Sequence, residues 1–324
     1  MKCSKRLVVY LAVICLVLFA AGTAVAAGKD AGPAKGEEMT LGQATVLGVV
    51  EGLTEYLPVS STGHLLLAER AMGIGEDPGG SSREKQRDKS AADAFTICIQ
   101  AGAIVAVLGL YFRRVKQMLA GLAGRDEEGR RMLFNIAAGF LPAAVIGLLF
   151  NKAIKAYLFG IWPVVAAWFA GGMAILAVGW WNRREGRPER RSLSLEALSW
   201  KMALAIGFAQ CIAMWPGVSR SLVTIVGGVM VGLSLPAAVE FSFLLGVVTL
   251  GAATGYDALK HGHIMVQTFS PLPIAVGLLF AFLAAVVSVK WMVGYLNRHG
   301  LALFGYYRVG LALVVGGMIM AGML

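Results

Sequence analysis

Residues 40–72 read TLGQATVLGVVEGLTEYLPVSSTGHLLLAERAM, and residues 202–233 read MALAIGFAQCIAMWPGVSRSLVTIVGGVMVGL. Each is an apolar stretch broken by a polar Gly/Pro/Ser segment, Pro58 to His64 in the first and Pro216 to Ser221 in the second. The arms of the first, 40–56 and 64–72, fall short of the roughly 20 residues that a helix needs to cross a bilayer. Both regions therefore read as helix–loop–helix hairpins dipping into the membrane, where non-helical backbone is tolerated only when buried in protein. Two full spans per region is the competing reading, and it stays open for the second.

The rest of the chain fits a bilayer. Of 324 residues, 57% are hydrophobic, 15% are charged and 41 are glycine, with a mean hydropathy of +0.70. Soluble domains carry about 25% charged residues. The deficit excludes a disordered tail, a collagen and a disulfide-stapled miniprotein. Six further segments are long and apolar enough to span, roughly 94–112, 132–150, 161–181, 236–256, 271–289 and 303–323. The fold class is an all-α polytopic membrane protein with six transmembrane helices and two re-entrant hairpins, in one membrane domain over 40–324.

The net charge of +10 is concentrated in two loops, 113–131 and 182–201. Apolar runs bracket both, and neither has the interleaved aromatics of a single-strand-binding groove, so nucleic acid is not an expected partner. Cys3, Cys15, Cys98 and Cys211 show no metal spacing and no disulfide framework. Residues 1–27 read as a signal peptide, with basic Lys2, Lys5 and Arg6, an apolar core and a small-residue cleavage region; an uncleaved N-terminal transmembrane segment is the alternative. Either places the linker 28–39 on the outer face, and counting spans from there puts both basic loops inside, as the positive-inside rule requires. A charged insert near 76–90 reads as a solvated outer loop.

The chain echoes itself. At an offset of 159, Gly48, Val59 and Ser60 align with Gly207, Val218 and Ser219, and Glu51 falls over Gln210. Ala91-Ala92 with Phe95 recurs as Ala237-Ala238 with Phe241, Gly147–Phe150 as Gly277–Phe280, and Gly171–Met173 as Gly316–Met318. The halves, about 40–181 and 202–324, each hold one hairpin and three spans. Three is odd, so the second half enters from the opposite face: an inverted-topology repeat, which brings broken segments together near the midplane.

Several residues there can carry chemistry. Glu51 and Glu55 are one helical turn apart and are costly in a bilayer, so they read as holding a cation or tuning a neighbour. A hard cation, Mg²⁺ or Ca²⁺, suits two carboxylates plus phosphate oxygens. Ser60, Ser61 and Thr62 exceed the one hydroxyl that a helix cap requires, and His64 follows them as a nucleophile or general base. Arg220 is the only charge between Lys201 and Glu240; at a helix start it can grip phosphate in bidentate fashion. Pairing Arg220 with Glu51 or Glu55 is the purely structural alternative. Ser219, Ser221 and Thr224 read equally as donors or caps. Such a set suits phosphoryl transfer, and the bilayer suggests a lipid-linked phosphate.

The stretch from Glu51 to His64 and the segment from Pro216 to Ser221 together resemble the two signatures of bacterial undecaprenyl-diphosphate phosphatases, the bacitracin-resistance family, over roughly 40–324. The resemblance implies hydrolysis of undecaprenyl diphosphate to undecaprenyl phosphate and inorganic phosphate, recycling the carrier for peptidoglycan synthesis. It implies an inner-membrane enzyme whose pocket opens to the periplasm, with a lipid substrate and room for a homodimer. Carried over by position, Glu51, Glu55, Ser61, His64 and Arg220 would be catalytic. Ser60, Thr62, Ser219, Arg220 and Ser221 would bind substrate, with Arg220 holding the diphosphate and Glu55 orienting His64. Either His64 or Ser61 could attack. Leu222-Val223, Thr96 and Leu235-Pro236 depart from the family pattern. A transporter or lipid flippase on the same scaffold, with Glu51 and Glu55 as coupling-ion sites, is the rival reading.

Overall fold

A computed structural model describes residues 39–74, 82–158, 160–184 and 192–324; the signal or anchor expected over 1–27 lies outside them. The described residues form eleven α-helices. The first hairpin is α1 (Leu41–Thr54) and α2 (Ser61–Ala71), followed by α3 (Ser82–Leu110), α4 (Phe112–Leu122), α5 (Glu127–Leu158) and α6 (Ile161–Arg184). The second hairpin is α7 (Trp200–Cys211) and α8 (Arg220–Met230), followed by α9 (Leu235–Thr268), α10 (Pro271–His299) and α11 (Ala302–Met320).

Six of these, α3, α5, α6, α9, α10 and α11, are long and apolar enough to cross a bilayer, one for each expected span. The hairpin arms have 14, 11, 12 and 11 residues. At 1.5 Å per residue they reach about 16–21 Å, well under the ~30 Å of a hydrocarbon core. Those lengths are compatible with hairpins in both regions, the second included. Helices run past several expected limits: α5 covers Glu127–Leu158, α9 runs on to Thr268 and α10 to His299, and the expected outer loop near 76–90 is helical from Ser82 onward. Glu84, Lys85, Gln86 and Arg87 are good helix formers, and no Gly or Pro interrupts the run into the apolar span.

Helix pairing follows the two halves. The hairpin helix α1 lies along α10, and its counterpart α7 lies along α5, while α3 packs on α9 and α6 on α11. Small residues allow the backbones to meet, as in membrane helix interfaces. A Cβ on Gly48 would lie 2.4 Å from the Gly277 carbonyl, and one on Gly207 would lie 2.4 Å from that of Gly139. Ser288 of α10 also donates to the Gly52 carbonyl of α1 at 2.8 Å. Phe95 and Phe241, matched in the sequence echo, are both fully buried. The pattern is compatible with two like halves. Gly139 stands against Gly207 as Gly277 stands against Gly48, so Gly139, and not Gly147, holds the place equivalent to Gly277.

At the basic end, Arg114 bridges Glu196 at 2.8 Å and Glu240 at 2.7 Å. Asn135 donates to the Leu198 carbonyl at 2.8 Å. These bonds tie the loop before α7 onto α4, α5 and α9. The Glu196 carboxylate is held below its ordinary range by its own backbone N–H and by the Arg114 guanidinium.

Candidate active site

Two breaks, one in each hairpin, build the site. Among the described residues, only two outside glycine have positive φ: Ser60 and Ser219, both at 73°, with ψ of 103° and 111°. They are the residues that the offset of 159 aligns. A serine held there costs on the order of 1–3 kcal/mol and persists only where its surroundings enforce it. Each is the N-cap of the following helix. The two turns place the starts of α2 and α8 among buried residues, where the N-terminal N–H groups of a helix favour an anion. Ser219 caps Leu222 N at 3.3 Å, whereas the Ser60 side chain makes no cap.

The breaks interlock. Ser221 donates to the Leu57 carbonyl at 2.8 Å, and Ser219 lies 3.0 Å from Ser221. Arg220 reaches back to Glu55 Oε1 at 3.3 Å, with side-chain exposures of only 10% and 5%. Its other Nη donates to the Ser242 carbonyl at 3.0 Å, and its guanidinium lies 5.2 Å from the ring centre of Tyr56. Gly246 makes room for it, since a Cβ there would meet Arg220 Nη1 at 2.2 Å. Glu55 Oε2 accepts a short hydrogen bond from the Ser61 hydroxyl. Glu55 thus links a hydroxyl of the first hairpin to the cation of the second.

Glu51 lies one turn earlier on α1, 1% exposed, and neither carboxylate oxygen accepts a hydrogen bond. The side chain of Gln100 from α3 faces it. A buried carboxylate with Gln100 as its one facing donor could hold a cation, and its oxygens would suit a hard one. No cluster of three or more His, Cys, Asp or Glu occurs among the described residues, so a cation would need substrate oxygens or water to complete its shell.

His64 is placed differently from the expectation. Glu55 is engaged by Ser61 and Arg220, and it does not orient the histidine. The imidazole instead folds back over its own helix start: Nδ1 donates to the Ser60 carbonyl at 2.7 Å, leaving Nε2 to accept from the Tyr307 hydroxyl at 2.7 Å. Tyr307 stacks on the ring at 5.7 Å, and Trp168 meets it edge-on at 5.4 Å. Thr62 is exposed on α2, apart from the buried set. Thr224 is a helix residue bonded to the Arg220 carbonyl at 2.9 Å and to Ser242 at 2.6 Å. Of the departures from the family pattern, Leu222 is absorbed into the main hydrophobic core, and Thr96 bonds back to Asp93 O at 2.9 Å.

The two motifs contain neither Tyr307 nor Arg308, both on α11, nor Trp168 on α6. Trp168 donates to the Val59 carbonyl at 3.1 Å. Arg308, fully buried, bonds the carbonyls of Ala167, Gly217 and Pro58 at 2.9, 2.8 and 3.4 Å. An arginine inside an apolar span was the available signal, because ionisable residues there are rare and functional by default.

The sequence matches known proteins over most of its length. The family model described as bacitracin resistance protein BacA matches residues 44–314. The chain is 45% identical to the undecaprenyl-diphosphatase of Sorangium cellulosum (strain So ce56), covering 84% of each chain. It is 43% identical to undecaprenyl-diphosphatase 2 of Rhodospirillum rubrum, over 84% of this chain and 93% of that protein. With the protein of the same activity name in Nitrosomonas europaea it shares 42% identity, over 84% and 92%. Matches of that extent, across both hairpins and all six spans, make this chain a member of the BacA bacitracin-resistance family.

Proposed function

We propose that this protein hydrolyses undecaprenyl diphosphate to undecaprenyl phosphate and inorganic phosphate in the bacterial inner membrane, renewing the lipid carrier for peptidoglycan synthesis and conferring bacitracin resistance. The observation that carries the reading is Glu55 joining Ser61 to Arg220 inside the membrane domain. A lipid phosphate needs a cationic grip and an activated oxygen at bilayer depth, and these three side chains supply both.

In the proposed sequence Arg220 transfers its second Nη from Glu55 to the phosphate oxygens, which frees Glu55 to act as base. Glu55 takes the Ser61 proton as Ser61 Oγ attacks the terminal phosphorus. The bond from phosphorus to the bridging oxygen breaks, and undecaprenyl phosphate leaves. Water then attacks the phosphoserine, its protons stay on the departing inorganic phosphate, and Glu55 returns its proton to Ser61. The N–H groups of α2 and α8 and the Arg220 charge meet the equatorial oxygens, where negative charge is spread in the transition state. His64, held through both nitrogens, shapes the wall beside Ser61. A divalent cation bound at Glu51 and Glu55, Mg²⁺ or Ca²⁺, would neutralise substrate charge.

The test is phosphate release from a short-chain prenyl diphosphate by detergent-purified protein. Release that disappears on chelation and returns with one divalent ion supports the full scheme, whereas no release with any cation refutes the hydrolase.

The site is proposed to open to the periplasm. In a background free of native cysteines, Ser81→Cys is expected to react with an impermeant thiol reagent in intact spheroplasts, and Glu185→Cys only after lysis. The reverse pattern would invert the topology.

A further inference from the structure

Arg308 is a whole positive charge buried in the membrane domain, and no carboxylate lies within ion-pair distance among the described residues. Burying such a charge is costly unless hydrogen bonds compensate it. Here both Nη groups donate to backbone carbonyls, and only Nε lacks a partner. Its guanidinium takes the carbonyls of Pro58 and Gly217, and these two residues occupy matching places: each stands two positions before a serine with φ of 73°. One side chain therefore grips equivalent points of both breaks. A third bond, to Ala167 of α6, fixes the guanidinium from behind. Gly171 leaves it room, since a Cβ there would lie 2.4 Å from Arg308 Nη2.

The hairpins also meet directly through Ser221 on the Leu57 carbonyl and Arg220 on Glu55. The Arg220–Glu55 pair must open when Arg220 turns to a phosphate, whereas the Arg308 tie stays in place. Ser61 enters from one break and Arg220 from the other. Their joint action on one phosphate requires both breaks to keep a common frame, and the strained serines would relax independently if their preceding carbonyls were released.

We propose that Arg308 is a positioning residue that locks the two breaks into one phosphate cradle. It acts on the reaction through Ser60, Ser61 and Ser219 and touches no substrate. The adjacent Tyr307 applies the same helix to His64, so α11 supplies the third wall of the site. The role rests on the hydrolase reading above.

The test compares the wild-type protein with Arg308→Lys and Gly171→Ala, all purified in the same detergent. Lysine keeps the charge but cannot span three carbonyls, and alanine at 171 crowds the guanidinium while leaving it in the chain. Measured per folded protein, both variants are expected to lose about 30- to 100-fold in kcat, the penalty of an ångström-scale misplacement. KM should stay within about threefold, and the melting temperature within a few degrees of wild type. Unchanged kcat in both variants, or activity loss that merely tracks unfolding, overturns the positioning role while the hydrolase reading stands on wild-type phosphate release. A wild-type protein that releases no phosphate overturns both.

Discussion

Arg220→Ala is expected to lower kcat/KM for a prenyl diphosphate by about 10³-fold or more, the scale of losing an arginine that stabilises a phosphoryl transition state. The geometry adds a second consequence. Glu55 is buried against Arg220, so removing the arginine strands a carboxylate, and breaking a buried pair from one side costs about 3–5 kcal/mol. The variant should therefore be both inactive and unstable. Glu55→Gln in the same chain removes the stranded charge and is expected to restore most of the melting temperature but none of the activity. Arg220→Lys, which cannot hold the Ser242 carbonyl and the phosphate together, should retain stability better than activity. If Arg220→Ala kept wild-type turnover, the phosphate grip would lie elsewhere and the central assignment would fail.

Ser61→Ala separates the two candidate nucleophiles. Loss of about 10³-fold or more in kcat is expected, as for removal of an attacking group whose partners remain in place. Stability should fall by about 1–3 kcal/mol, because Glu55 Oε2 is left buried without its donor. His64→Ala should cost less in kcat and more in stability, since the imidazole fills a pocket between Trp168 and Tyr307. The chemical signature is independent of rates. Acid quenching during turnover of a terminally labelled diphosphate should leave label on Ser61 as an acid-stable, base-labile ester. Acid-labile, base-stable label on His64, or a Ser61→Ala protein with normal turnover, would assign the attack to the histidine.

Both expectations depend on which side chains meet, and that is where sequence and fold divide the information. Local sequence was enough for the elements. Apolar run lengths marked the six spans, and Pro58–His64 and Pro216–Ser221 marked the breaks, because burial of backbone in a bilayer leaves few alternatives to a continuous helix. Most span boundaries lie further out than expected, equally far at Ser82 and at Thr268, since helix propensity continues past the end of the apolar run. The offset of 159 aligns Ser60 with Ser219 in the sequence, because the same strained turn needs the same local grammar. The Gly147–Phe150 echo shows the limit of that reasoning: short matches are cheap in a Gly-rich apolar chain, and packing gives Gly139, against Gly207, the place that Gly277 holds against Gly48.

The sequence by itself determined a helical membrane domain with two polar breaks, and determined that Glu51, Glu55, His64 and Arg220 are charges or bases where water is scarce. The tertiary structure alone decided the partners: Arg220 with Glu55, Ser61 with Glu55, His64 with Tyr307 and Arg308 with both breaks. The reason is physical. Helix formation is governed by neighbours three and four residues away, so it is written locally, whereas these pairs join residues as far as 250 positions apart. Their geometry depends on how close the small-residue faces of α1, α5, α7 and α10 allow the backbones to come.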